Sequence, residues 1–405
     1  MQLFVTGMFR SGTTTLARAL NAHSKIAFAS DPFLEFFKVL RSDLAKDLHQ
    51  SIPFKSPLDD YYFDRNGINL LSAIEQTNPN RPFQFIDWQE LQPLFTKRCL
   101  AYCPKLKDFL QDFSGKTYQE ALFCLLAKVK DCYGNQDSLV YGFKEVWATE
   151  FVPFFLNACP QGKVIIFQRD PRAICASKNV TEEKYPWLFL CRQWRKLAAL
   201  GWSYAHNLEY SQRVLLLRYE DFITNPEKVT QQICSFLKID WEEAIANPFY
   251  YKNGNGQPWK QNTSYGEGIA GFDPTAIDRW KKKLTKLQQK YIEEICAPEM
   301  SLLGYEREKS EFELSEEWLF DSPRIQNEEQ AAWMRKIIPN DPAYISIEMA
   351  KEYLRNSMLH TDSSNLSHDL IKSAFLKENL FQYWKDKSTE AAQDRVVDTL
   401  REVLG

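Results

Sequence analysis

A short apolar run, Leu3 to Val5, passes through Thr6-Gly7-Met8-Phe9-Arg10-Ser11-Gly12-Thr13-Thr14 into a helical pattern with Leu16, Ala19 and Leu20 on its inner face. Strand, glycine turn and helix in direct succession constrain everything after them. The first turn of a helix leaves backbone N–H groups without intrahelical partners, and the helix dipole adds positive charge at the same end. Such a turn presents an anion site. The glycine spacing is that of G-x-x-x-x-G-K-[ST], in which the lysine reaches the outer phosphates of a nucleoside triphosphate. Here Thr13 stands at the lysine position and Arg10 is the cation inside the loop. Arg10, Ser11, Gly12, Thr13 and Thr14 are therefore read as a cradle for an anion other than a magnesium nucleoside triphosphate.

The segments that follow alternate. Ile26 to Ser30 reads as a return to the sheet, and Phe33, Phe36, Phe37 and Leu40 as the inner face of a helix reaching about Leu48. Lys116 to Lys130 reads as a helix, Leu139 to Phe143 as a buried strand ending at Lys144, and Thr149 to Asn157 as a helix. The strand Lys163 to Phe167 leads into a helix from Pro171 to Lys178, and two tryptophan-rich helical stretches follow (Trp187, Trp194, Trp202). Arg213 to Leu217 is a further strand, and Pro226 opens a helix to Leu237. The alternation predicts an α/β fold, a mostly parallel central sheet flanked by helices.

Residues 51–115 are rich in aromatics, with Tyr61, Tyr62, Phe63, Phe83, Phe85 and Trp88, and read as loops and short helices over an acceptor pocket. Taken singly, each of these rings is better explained as ordinary core. Past Ser310 the chain changes character: Glu311 to Glu317 is acidic, and Ala343 to Met358, Leu370 to Trp384 and Ala391 to Leu404 read as helices. The expected organisation is a catalytic domain over 1–308 and a helical C-terminal extension over 309–405. These helices would pack on the catalytic domain or join copies of the chain into a homo-oligomer.

Composition removes several classes of function. Lys and Arg total 50 against 53 Asp and Glu, without the basic excess of a general nucleic-acid binder. Apolar stretches such as Val164 to Phe167 fall far short of a membrane span, and the N-terminus runs into a glycine loop instead of a signal-peptide core. Nine cysteines without paired spacing suggest reduced thiols and a cytoplasmic protein. Cys99 and Cys103 have no matching pair, and five scattered histidines do not complete a zinc site, so no metal is expected.

The loop resembles the 5′-phosphosulfate loop of the sulfotransferases that use 3′-phosphoadenosine 5′-phosphosulfate. A second stretch, Lys163-Val164-Ile165-Ile166-Phe167-Gln168-Arg169-Asp170-Pro171-Arg172-Ala173-Ile174-Cys175-Ala176-Ser177, resembles that family's 3′-phosphate motif. Arg169 and Ser177 occupy its two phosphate-binding positions, and a strand ending in arginine beside a proline-started helix suits a bidentate donor. Asn262-Thr263-Ser264-Tyr265-Gly266 through Gly271, followed by Ile277-Asp278-Arg279-Trp280-Lys281, is similar to the family's loop and helix that close over the nucleotide. The block from Arg218-Tyr219-Glu220 to Leu237 resembles a further, mainly structural element. The likeness runs from residue 1 to about 305. It implies a P-loop-like fold, the donor 3′-phosphoadenosine 5′-phosphosulfate with adenosine 3′,5′-bisphosphate as product, and transfer of sulfonate to a hydroxyl or phenol.

The same resemblance assigns roles. Arg10 and the Ser11 to Thr14 N–H groups would hold the phosphosulfate, Lys144 would contact the transferring group, Ser264 would steady it, and Tyr265 or Trp280 would shape the adenine side. Arg172 is a helper for the 3′-phosphate or a solvated side chain. No histidine lies between His49 and His206, so a histidine base has no carrier. A carboxylate serves in the protein-tyrosine and carbohydrate branches, and Asp31 stands at the corresponding end of the second strand. Asp31-Pro32 also reads as a helix cap, in which case Glu35, four residues on, would reach from the same face. The acceptor is a small metabolite, a lipid or a saccharide precursor. A nucleotide or small-molecule kinase and a non-catalytic nucleotide-binding scaffold are the competing readings.

Overall fold

The computed structural model describes residues 1–60, 62–83, 88–111, 115–177, 185–259, 272–308, 328, 331, 342–360 and 366–387. The chain gathers into two compact units: one of Met1–Asp60, Asn69–Glu182 and Tyr204–Thr285, the other of Tyr61–Ile68, Glu183–Ser203 and Lys286–Gly405.

The first unit is built on a parallel sheet of five strands in the order β2-β3-β1-β4-β5. The strands are β1 Gln2–Gly7, β2 Ile26–Ser30, β3 Val140–Val146, β4 Lys163–Gln168 and β5 Val214–Arg218. Along the chain as far as Cys175 the α-helices are α1 Thr13–Ala22, α2 Leu34–Asp47, α3 Arg65–Glu75, α4 Trp88–Tyr102, α5 Tyr118–Tyr133, α6 Val152–Ala158 and α7 Pro171–Cys175, and further helices, Pro226–Leu237 and Thr275–Lys283 among them, follow β5. Sequence alternation thus yields the predicted sheet. Its strands are apolar on both faces, as a parallel sheet covered by crossovers requires. Leu3 and Val5 of β1 face a cluster with Leu16 and Leu20 of α1, Ile165 and Phe167 of β4, and Phe222 and Ile233. Phe4, on the other face, packs against Phe37, Phe143 and Phe155 with ring centroids 5.7, 5.1 and 5.3 Å away. Burying each such side chain contributes about 1.5–3 kcal/mol.

Several boundaries differ from those read in the sequence. β3 continues through Lys144 and Glu145 to Val146, because past the end of its apolar run β2 pairs with it as far as Lys144 and β1 as far as Val146. Helix α2 begins at Leu34, with Phe33 at the cap position, and Asp31 has left-handed backbone (φ 54) outside the helix. Residues 88–102 form one 15-residue helix containing Pro93, where short pieces were expected. The tryptophan-rich stretches are a single helix, Trp187–Ala205. Helix α7 stops at Cys175, so Ser177 lies in the turn after it instead of two turns along a longer helix.

In the second unit, Glu352 of the helix Pro342–His360 is buried between Arg192 and Arg195, at 2.7 Å from each. The expected helix from Leu370 to Trp384 is broken at Leu376 (φ 63), dividing His368–Phe375 from a second helix over 378–387. The residues of the third expected helix, 391–404, lie outside those described. Among the described residues no helix is long and apolar enough to cross a membrane.

Strand spacing at the centre of the sheet depends on Gly142. A Cβ there would meet the Leu3 carbonyl oxygen at 1.8 Å, and that carbonyl belongs to the paired strand β1. Gly142→Ala is expected to destabilise the protein by about 3 kcal/mol through overpacking. Urea unfolding measures it as a lowered midpoint; a loss below about 1 kcal/mol would show that the strands part without cost.

Candidate functional site

The loop after β1, Asp31 after β2 and Arg169 after β4 lie at the carboxyl ends of these parallel strands, where open α/β sheets bind ligands. β1 comes close to β4 at its end, since a Cβ on Gly7 would lie 2.1 Å from the Phe167 carbonyl oxygen. The chain then takes left-handed backbone at Arg10 (φ 64) and at Gly12 (φ 83), the N-cap of α1. Left-handed residues in a tight loop are what backbone anion concavities are made from. The Ser11 N–H donates to the Met8 carbonyl at 3.3 Å, and the Gly12 carbonyl accepts from Thr15 and Leu16 at 2.9 and 3.2 Å. The first-turn donors of α1 therefore begin at Gly12, one residue later than the sequence reading placed them. Ser11 is buried, and its Oγ has no hydrogen-bond partner among the described residues. A buried hydroxyl without a partner is uncommon and marks a place where another group belongs. Thr13 is buried and Thr14 exposed.

Beside this loop, Lys144 and Asp31 form a buried ion pair. Parallel pairing sets Ser30 opposite Lys144, and the Asp31 N–H donates to the Lys144 carbonyl at 2.7 Å, so strand register itself brings the pair together. Asp31 Oδ2 takes Lys144 Nζ and, at 3.2 Å, the Ser30 hydroxyl. Asp31 Oδ1 is buried and accepts no hydrogen bond among the described residues. Lys144 Nζ also lies 3.4 Å from Thr14 Oγ1, which joins the carboxylate to the first turn of α1. Asp31 does not cap α2: the Phe33 N–H, at the cap position, donates to Glu145 Oε1. Glu35 does not share a helical face with Asp31, because the helix starts after Asp31; it pairs with Lys38 at 3.0 Å.

Two charged residues here escaped the sequence reading. Glu145 is fully buried and bonded to Arg98 Nη2 at 3.1 Å, and Arg98 Nη2 stands 4.0 Å from Asp31 Oδ1. Burial pushes the Glu145 carboxyl up to about 7, against the pull of Arg98. The signal for Glu145 was its place beside Lys144, on the opposite face of one strand.

The second motif lies at the end of β4. Arg169 Nη1 donates to the Arg10 carbonyl at 2.9 Å and Nη2 to the Ala276 carbonyl at 3.3 Å, with the guanidinium 4.2 Å from the Tyr219 ring centroid. Tyr219 also packs against Gly12, where an added Cβ would meet its ring at 2.4 Å. The sequence resemblance gave that tyrosine a mainly structural part; it lies against both the loop and Arg169. The Ser177 N–H closes the turn onto the Ile174 carbonyl at 3.0 Å, and Lys283 Nζ lies 3.5 Å from the neighbouring Ala176 carbonyl. Arg172 is buried, held by Asp170 at 2.7 Å, and lies 3.9 Å from the Trp280 ring centroid. It is neither solvated nor apart from Trp280, whose ring it covers. Ser264 and Tyr265 lie outside the described residues. No group of three or more His, Cys, Asp or Glu among the described residues is arranged to hold a metal ion.

A model of the sulfotransferase family matches residues 2–243. Carbohydrate sulfotransferase 1 of Rattus norvegicus is 28% identical over 177 residues, covering 38% of this chain and 41% of that protein. Protein-tyrosine sulfotransferase 1 of Danio rerio is 25% identical over 171 residues, 40% of this chain and 47% of that one. The matches thus span less than half the length of these relatives. Among solved structures, the sulfotransferase domain from the Synechococcus PCC 7002 olefin synthase aligns over 76% of this chain and 95% of its own, with 18% identity and a TM-score of 0.44. With its anion loop, both motif positions and more than half of its length inside the matched region, the chain belongs to the sulfotransferase family.

Proposed function

We propose that this protein transfers a sulfonate group from 3′-phosphoadenosine 5′-phosphosulfate to a hydroxyl or phenol oxygen. The observation that carries the reading is the Lys144 ammonium held between a buried carboxylate, Asp31, and the first turn of α1 at Thr14. Anion cradle and base are then one lysine apart. The buried Ser11 hydroxyl with no partner among the described residues supports a fit to an anionic group in the loop. Arg10, Ser11 and the N–H groups of Gly12, Thr13 and Thr14 would hold the 5′ end of the donor, and Arg169 with Ser177 the 3′-phosphate. The bound donor supplies an activated sulfonate on a phosphate leaving group.

The residues of the chain supply the rest. Sulfonate transfer needs negative charge stabilised where it develops and the acceptor oxygen aligned, demands met by fixed donors more than by covalent chemistry. Lys144, buried, and Arg10, partly buried, provide that positive charge. Asp31 is the base, taking the acceptor hydroxyl proton on Oδ1, the oxygen that Lys144 and Ser30 leave open. Glu35, engaged with Lys38, is not assigned this role.

Incubation with 35S-labelled donor and a panel of phenols, aliphatic alcohols and saccharides should yield adenosine 3′,5′-bisphosphate and a labelled acceptor. Tight binding of the bisphosphate with no turnover across the panel would favour a nucleotide-binding scaffold, and phosphorylation from ATP a kinase.

Asp31→Asn is expected to lower kcat about 10²–10⁴-fold, the range of a lost general base, while Glu35→Gln stays within about threefold of wild type. Equal activity in the two would remove Asp31 from the mechanism. Arg169→Ala should weaken adenosine 3′,5′-bisphosphate binding about tenfold or more by calorimetry, since charge-assisted hydrogen bonds contribute about 1.5–3 kcal/mol. Unchanged affinity would place the 3′-phosphate elsewhere.

A further inference from the structure

We infer that Arg98 and Glu145 form a positioning pair for the base: Glu145 holds the turn that carries Asp31, and Arg98 ties that carboxylate to Glu145. The inference rests on the proposed role of Asp31 and adds to it two residues outside the motifs that revealed the site. Asp31 needs external support because it sits in left-handed backbone (φ 54), a region that costs a non-glycine residue about 1 kcal/mol or more and persists only where surroundings over-determine it.

Its supports can be followed residue by residue. On one side the Asp31 N–H is fixed to the Lys144 carbonyl, and Oδ2 to Lys144 and Ser30. On the other side the next anchored group is the Phe33 N–H, two residues on, which donates to Glu145 Oε1. The turn 31–33 is thus pinned at both ends to β3, through the backbone of Lys144 and the side chain of Glu145. Glu145 is an unusual choice for such a task, since a fully buried carboxylate pays a large desolvation cost unless it is paired. Arg98 is that pair, reaching in from α4 at 3.1 Å.

The same guanidinium nitrogen faces Asp31 Oδ1 at 4.0 Å, so Arg98 stands beside the very oxygen proposed to receive the proton. Its orientation is set in turn by the Tyr102 ring, 5.5 Å from the guanidinium carbon and one helical turn along. An ion pair that served stability alone would have no need of the reactive carboxylate as its second neighbour. Arg98 acts through Asp31, by fixing where Oδ1 points; Glu145 acts through both.

A residue that works through Asp31 has nothing left to do once Asp31 is gone. Turnover of the labelled donor with 2-naphthol as acceptor is therefore compared in Arg98→Ala, Arg98→Lys, Glu145→Gln, Asp31→Asn and the double variant Asp31→Asn/Arg98→Ala. Arg98→Ala and Glu145→Gln should lose about 10–100-fold in kcat with donor KM and bisphosphate affinity unchanged, as expected when a positioned group is misplaced. Arg98→Lys should recover most of the Arg98→Ala loss, and the double variant should be no slower than Asp31→Asn.

Equal, additive losses in the double variant, or a rise in donor KM matching the fall in kcat, would overturn the pair as a positioning device. An Asp31→Asn variant near wild type would instead overturn the base assignment, a separately readable result. Hydrogen exchange decides the matter where turnover with 2-naphthol is too slow to read. Glu145→Leu, which preserves bulk without the acceptor, and Arg98→Ala should both exchange the Phe33 amide at least tenfold faster while the central strands keep wild-type protection. Wild-type exchange at Phe33 in both variants would refute the inference.

Discussion

The buried Lys144–Asp31 ion pair is the interaction on which the rest of the site depends. A charge moved from water to a protein interior loses several kcal/mol of solvation, and only close pairing with further hydrogen bonds makes the arrangement stable. Each partner meets that condition through a strand end. Lys144 is held in β3 between β1 and β2, and Asp31 follows β2 with its N–H on the Lys144 carbonyl. The lysine missing from the glycine loop thereby has a counterpart from the adjacent strand, with Nζ within 3.4 Å of Thr14 at the first turn of α1. Thr13 at the loop's lysine position then reads as a displaced cation, one tethered to a carboxylate instead of ending a flexible loop. In the proposed mechanism the displacement couples the positive charge of the loop to the base.

Left-handed backbone recurs at the same edge of the sheet. Arg10, Asp31 and Trp147, following β1, β2 and β3, all have positive φ. Each is held by its neighbours: Arg10 by the Arg169 bond to its carbonyl, Asp31 by the backbone and side chain of Lys144, and Trp147 by its N–H to the Gly7 carbonyl at 3.1 Å and by stacking on Phe9 at 5.1 Å. The apolar sheet supplies the stability that such conformations consume.

How far the molecule could be read from its sequence follows from what each signal depended on. The strands were visible because parallel strands buried on both faces are continuous apolar runs, as in Val164 to Phe167. The anion loop was visible because it is local: its glycines, its arginine and its helix adjoin in sequence. Lys144 was placed just beyond its strand because apolar content ends at Phe143, whereas pairing with β1 carries the ladder on to Val146. Asp31-Pro32 read as a cap because composition cannot report the left-handed turn that delays the helix to Leu34. Arg98 was invisible for a different reason. Pro93 interrupts the pattern of α4, and the helix matters through contacts with Glu145 and Asp31, far from it in sequence.

The two anion positions also turn out to be mechanically one object. Tyr219 lies against Gly12 on one side and Arg169 on the other, while Arg169 donates to the carbonyl of Arg10. A movement of the β4 end that shifted Arg169 would pull on the loop backbone directly, and a side chain at position 12 would be driven into the tyrosine ring. A ligand carrying anionic groups at both ends needs the distance between its two binding points to be fixed before it arrives, since every adjustable contact would cost ordering entropy on binding. Here Arg169, the residue proposed to take the 3′-phosphate, also holds the loop backbone through the Arg10 carbonyl. That is why the family's two phosphate motifs, read separately in the sequence, constrain each other in the fold: the glycine at 12 is required by the tyrosine, the tyrosine supports the arginine, and the arginine holds the loop that the glycine ends.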